Sequence, residues 1–211
     1  MILPMLSPLY VVTDRHQVGE GKFLDTLSQI ISHGEVMLQL REKDLPTREL
    51  LQLAQAVQFQ AQLHHVPLLI NDRIDLAMVV GAAGVHLRSD SLPVKQARKC
   101  LGPDKIVGVS VHSVEEARSC EEAGANFVVL GPIYDTPSKR SYGKPLGVQA
   151  VKVTSATCRI PVYAIGGITL ERLEAVKQAG AYGVAVISAI LCSENPLQTV
   201  KDFTTHLSVP N

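Results

Sequence analysis

The chain has 211 residues, 46% of them hydrophobic, with no Trp and with 20 basic side chains balanced by 20 acidic ones. This leaves room for one sizeable aliphatic core, and the neutral balance excludes the broad basic field that holds nucleic acid by releasing counterions. No run reaches the ~20 apolar residues of a membrane helix, so no membrane partner is expected. Cys100, Cys120, Cys158 and Cys192 are far apart and show no metal-ligand spacing; with no basic, apolar leader at Met1, they read as reduced thiols of a cytoplasmic protein.

Short β-branched runs alternate with segments of helical period along the whole chain. Residues 9–12 form the first predicted strand, and Phe23, Leu24, Leu27, Ile30 and Ile31 recur at helical spacing over 22–32. A second strand spans 36–40, and a long helix follows Pro46-Thr47 as far as His64. Strand 66–70 runs into Asn71-Asp72-Arg73, which opens a helix; strand 84–87 is followed by a helix entered near Pro93. After strand 106–111, Ser113-Val114-Glu115-Glu116 has the capping-box spacing and starts a helix that stops at Gly124. Strand 127–130 empties at Gly131-Pro132 into a long polar loop. Helix 148–157, strand 161–165, a helix capped by Thr169 and strand 183–187 complete the order, with helical sequence after Ser188. Eight such units without a linker predict a single-domain (β/α)8 TIM barrel over residues 1–211. An open doubly wound sheet is the alternative, but no GxGxxG follows the first strand.

In a barrel, residues after the strands converge on one mouth. Gln39, Arg41 and Lys43 alternate, so an extended segment puts an amide and two cations on one face, a grip suited to diphosphate. Asn71 and Asp72 offer an amide and a carboxylate suited to Mg²⁺, or equally a helix cap. Thr136, Ser138 and Lys139 can serve phosphate oxygens, although the same residues make an ordinary solvated turn. Gly166-Gly167 and Ile187-Ser188 stand where barrels hold phosphate on backbone N–H groups. His86 lies within an apolar strand and His112 beside a loop; each reads as a satisfied histidine or as a proton relay.

The motifs Leu9-Tyr10-Val11-Val12-Thr13-Asp14, Gln39-Leu40-Arg41-Glu42-Lys43, Ile70-Asn71-Asp72-Arg73, Gly84-Val85-His86-Leu87, Gly108-Val109-Ser110-Val111-His112, the 131–139 loop, Ala164-Ile165-Gly166-Gly167-Ile168-Thr169 and Val186-Ile187-Ser188-Ala189-Ile190 follow one another in order. Together they resemble the thiamine phosphate synthase and TenI superfamily over essentially the whole chain. The synthase branch of that resemblance implies a transferase joining hydroxymethylpyrimidine diphosphate to a thiazole phosphate with release of pyrophosphate. Gln39, Leu40, Arg41, Glu42, Lys43, Asn71, Ser110 and Lys139 would then hold the pyrimidine diphosphate, with Arg41, Lys43, Ser110 and Lys139 closest to the chemistry. Thr136, Ser138, Gly166, Gly167, Ile187 and Ser188 would hold the thiazole phosphate, and Asp72 would bind Mg²⁺.

Two departures separate the branches. The synthase pattern has a second Mg²⁺ carboxylate where this chain has Ser91, with Asp90 one residue early and Arg88 in place of a glycine. The thiazole tautomerase branch, an isomerase needing no metal, has its catalytic histidine where this chain has Pro132, leaving His86 or His112 as the relay. The synthase leads on its retained diphosphate grip; the tautomerase and a non-catalytic thiazole-phosphate binder are the alternatives. The outer helices mark no interface, and a homo-oligomer stays open.

Overall fold

The computed structural model describes residues 6–19, 21–136 and 144–208. Eight parallel strands close into a barrel in sequence order: β1 (Leu9–Val12), β2 (Met37–Leu40), β3 (Leu68–Asn71), β4 (Gly84–Leu87), β5 (Ile106–Val111), β6 (Phe127–Leu130), β7 (Val162–Ile165) and β8 (Gly183–Val186). The seam pairs Leu9 with Val184 and Val11 with Val186, so β1 has a neighbour on both sides and no edge is left open. The outer layer holds α1 (Phe23–Ser32), α2 (Thr47–Leu63), α3 (Ile74–Val79), α4 (Val94–Leu101), α5 (Val114–Glu122), α6 (Gly147–Thr157), α7 (Leu170–Gln178), α8 (Ser188–Leu191) and α9 (Pro196–Ser208). The barrel expectation holds, and the open sheet is excluded by closure.

The alternation of side chains along each strand sorts them into two cores. Leu9, Val11, Leu38, Leu40, Leu68 and Ile70 point outward under the helices. Tyr10, Val12, Met37, Leu69, Ile106, Phe127, Val129, Tyr163 and Ala185 fill the barrel. Few aromatics suffice because the interior is narrow: a Cβ on Gly108 would sit 2.2 Å from the Phe127 ring, so the glycine makes room for it.

Helix starts follow local chemistry. The Ser113 hydroxyl accepts the Glu116 N–H at 3.1 Å, and the Glu116 carboxylate reaches back to the His112 N–H at 2.7 Å. The capping box is thus formed, with its return arm one residue earlier than the usual geometry. Thr169 stands at the N-cap of α7 in extended conformation, but its side chain makes no capping hydrogen bond. A turn of 3-10 helix at Arg15–Gln17, capped by Asp14, was not foreseen. The four cysteines are unpaired. Among the described residues no helix is long and apolar enough to cross a membrane.

Candidate active site

The polar ends of the strands meet in a cavity of about 660 Å³ at the carboxyl mouth of the barrel. It gathers Gln39 from β2 with Arg41 and Lys43 just after it, Asn71 from the end of β3, His86 from β4, and Ser110 near the end of β5 with His112 just after it. Thr136, Gly166, Gly167, Ile187 and Ser188 line the same space from the β6, β7 and β8 side. Residues drawn from all over the sequence therefore come together as the barrel topology demands. Ser138 and Lys139 lie outside the described residues. A larger cavity, about 920 Å³, opens at the opposite end, where its lining includes Gly34, Val36, Pro67 and Gly81. Its charged or titratable lining is limited to Glu35, His65 and Tyr182 among the described residues and holds no Lys or Arg among them, so the smaller, cation-lined cavity is the one suited to phosphorylated ligands.

Two residues from the β2 motif do not reach the mouth. Leu40 is 1% exposed and packs outward in the helix-facing core. The carboxylate of Glu42, also buried, accepts the Thr13 hydroxyl at 2.6 Å, the Arg15 N–H at 3.1 Å and the Arg15 guanidinium at 3.3 Å. The two-residue period that aims Gln39 and Arg41 inward aims the Leu40 and Glu42 side chains away, so neither side chain lines the mouth. Glu42 instead anchors the loop: Thr13 Oγ1 in turn accepts the Arg41 N–H at 2.9 Å.

On the β3 and β4 side, Asp72 has φ +64°, the left-handed region that Asp and Asn tolerate better than most residues. Its N–H donates to the His86 carbonyl at 2.9 Å, which continues the strand ladder by one residue. The Asp72 carboxylate accepts the hydroxyl of Ser91. Asp90, the other candidate for a second metal ligand, is taken by the Arg88 guanidinium, whose Nε donates to it at 2.8 Å. The hydrogen bonds from Arg88, helped by its charge, hold the Asp90 carboxyl below its usual range. Asp90 lines the cavity, whereas Asp72 and Ser91 do not line it; beside the mouth, Asp72 offers one carboxylate that already accepts a neutral hydroxyl. That set fits Mg²⁺, a hard cation that uses one or two carboxylates and takes its other oxygens from phosphate and water.

Electrostatically the cavity favours anions: among the described residues Arg41, Lys43, Arg88 and Arg172 line it against one carboxylate, that of Asp90. Arg172 was not foreseen. Its guanidinium donates to the Gly167 carbonyl at 2.5 Å and lies 4.5 Å from the centre of the Tyr134 ring, which braces the glycine turn. Tyr10, Gln17 and Ser89 also line the cavity and were not singled out. His86 is only 3% exposed; burial, helped by the Arg41 charge, lowers its pKa to about 3 and keeps the imidazole neutral. His112 Nδ1 lies 2.6 Å from the Gly131 carbonyl oxygen.

A family model described as thiamine monophosphate synthase matches residues 9–190. The chain belongs to this family. Among relatives of the thiamine monophosphate synthase family, a thiamine-phosphate synthase of Desulfitobacterium hafniense (strain Y51) is 43% identical over 193 residues, covering 92% of this chain and 93% of its own. One from Roseiflexus sp. (strain RS-1) is 41% identical over 188 residues, covering 89% of this chain and 80% of its own. A solved structure, thiamine phosphate pyrophosphorylase from Pyrococcus furiosus, superposes with a TM-score of 0.85 at 28% identity, covering 95% of this chain and 96% of that one.

Proposed function

We propose that this protein is a thiamine-phosphate synthase, a transferase that joins hydroxymethylpyrimidine diphosphate to a thiazole phosphate and releases pyrophosphate. The observation that carries the reading is the two-sided mouth: Gln39, Arg41, Lys43, Asn71 and Ser110 on one side, and Thr136, Gly166, Gly167, Ile187 and Ser188 on the other. One side suits a diphosphate, the other a monophosphate, and both substrates carry the anions that four lining cations attract.

In this reading the bond between the pyrimidine methylene and the diphosphate oxygen breaks, its electron pair leaving with the diphosphate. The thiazole nitrogen supplies the pair that forms the new carbon–nitrogen bond. Arg41 and Lys43 stabilise the negative charge that grows on the leaving group, which is where fixed cations lower the barrier. Asp72, with Ser91 beside it, would hold Mg²⁺, which when bound neutralises diphosphate oxygens. Little proton transfer is needed, in keeping with a His86 that stays neutral. Purified protein given both phosphorylated halves and Mg²⁺ should form thiamine monophosphate; no product would sink the reading.

One observation favours a second reading. Ser91 in place of a carboxylate, with His112 lining the cavity, suits a metal-independent thiazole tautomerase in which His112 moves the proton. It predicts ring isomerisation that survives a chelator.

A further inference from the structure

Four side chains form a hydrogen-bond chain across the floor of the mouth. Gln39 Nε2 donates to the Tyr10 hydroxyl at 2.8 Å. The same hydroxyl oxygen lies 3.3 Å from His86 Nδ1, and His86 Nε2 lies 2.9 Å from Ser110 Oγ. Tyr10 is 0% exposed and His86 only 3%, so water cannot complete their hydrogen bonding.

That burial gives the chain a direction. A buried O–H needs an acceptor, and the Tyr10 oxygen already receives the Gln39 amide. The Tyr10 proton therefore goes to His86 Nδ1, which must be the bare nitrogen of the ring. The imidazole then carries its proton on Nε2 and donates it to Ser110. With Nδ1 protonated instead, two donors would face one Tyr10 oxygen and the phenol proton would be stranded. Ser110 Oγ is thus an acceptor toward His86, and its own proton is left for the cavity that it lines.

We propose that Tyr10 and His86 are positioning residues that fix Ser110 as a hydrogen-bond donor, so that the site selects a substrate presenting an acceptor atom at Ser110 Oγ. The acceptor is a pyrimidine ring nitrogen or a phosphoryl oxygen. The identity of the ligand rests on the synthase reading; the polarity of the chain does not.

The polarity is read first, on the unliganded full-length protein labelled with ¹⁵N-histidine. His86 should show a protonated Nε2 and a bare Nδ1. A protonated Nδ1 would mean that the Gln39 amide is reversed and would overturn the proposal without touching the synthase reading. In Tyr10→Phe the tautomer should become mixed; an unchanged tautomer also counts against it.

Function is then read by isothermal titration of hydroxymethylpyrimidine diphosphate in a double-mutant cycle. Ser110→Ala and Tyr10→Phe should each weaken binding about 3–10-fold, the size of one neutral hydrogen bond. The double variant should lose no more than the larger single effect, since Tyr10 acts through Ser110. Multiplied losses would mean that Tyr10 acts independently, and the proposal would fail. Titration with inorganic diphosphate and with the pyrimidine alcohol separates the two acceptors; Ser110→Ala weakening neither would refute the donor role. Absence of thiamine monophosphate formation alongside the expected tautomer and diphosphate coupling would remove the synthase reading and leave this one standing.

Discussion

The hydroxyl of Ser91 donates to the carboxylate of Asp72, across the gap between the loops that follow β3 and β4. The position that would bring a second negative charge to a metal brings a neutral donor to the first one instead. Ser91→Asp should therefore place two like charges together and lower the thermal midpoint by ~2–4 °C without divalent cation, the shift that about 1 kcal/mol produces in a chain of this size. Mg²⁺ should recover the loss in the variant and change the parent little. A differential scanning experiment with and without Mg²⁺ decides it; a Mg²⁺ response of equal size in both proteins would show that Ser91 has no bearing on the metal.

Glu42 is expected to matter for stability before chemistry. Its carboxylate satisfies Thr13 and the Arg15 backbone, and side-chain exposure is only 1%. Glu42→Ala leaves those donors unpaired, at about 1–3 kcal/mol for each buried group. Urea unfolding should show a lower midpoint with an unchanged slope. Because Thr13 also receives the Arg41 N–H, affinity for the diphosphate substrate should fall as well.

Acid should destabilise the protein through His86. The unfolded imidazole takes a proton below 6.5, whereas the buried one refuses it until about 3. Between those values the unfolded chain binds more protons, so stability rises with pH and is lost on acidification by about 1.4 kcal/mol per pH unit. Above that window His86 adds no slope. Unfolding free energies of the parent and of His86→Gln, measured across the window, should differ in slope by that amount; parallel curves would mean that the histidine is protonated in the native state.

The glycine turn after β7 should tolerate no side chain. Gly167 has φ +64°, and a Cβ there would lie 2.9 Å from the Asp135 carbonyl. Gly167→Ala combines backbone strain with a forced shift of the loop, for a loss of about 1–3 kcal/mol. In steady-state kinetics KM for the thiazole phosphate should rise about tenfold or more, with the KM for the pyrimidine diphosphate close to the parent value.

The strands were legible because a barrel buries both faces of each one, which leaves near-continuous runs such as 127–130 and 106–111 with polar stops. Their first residues were less so: the runs at 36 and 66 begin in sequence before the ladders begin at Met37 and Leu68, since an apolar residue can be buried without being paired. Within the site, period-two spacing placed Gln39, Arg41 and Lys43 on one face, and all three line the cavity; the same period sends the side chains of Leu40 and Glu42 outward. Tyr10 escaped notice because its partners, Gln39 and His86, are brought to it only when the barrel closes. Arg172 escaped for a related reason. An arginine in the first turn of an exposed helix has no sequence mark that tells a surface charge from one holding the Gly167 carbonyl.

The most direct measurement is a discontinuous assay of the purified chain with hydroxymethylpyrimidine diphosphate, thiazole phosphate and Mg²⁺, following thiamine monophosphate and pyrophosphate together. The synthase account expects both products in equal amounts, with the rate lost in Asp72→Ala and in Arg41→Ala. No thiamine monophosphate, together with chelator-resistant isomerisation of a carboxythiazole phosphate, would contradict it and make the tautomerase the activity of this mouth.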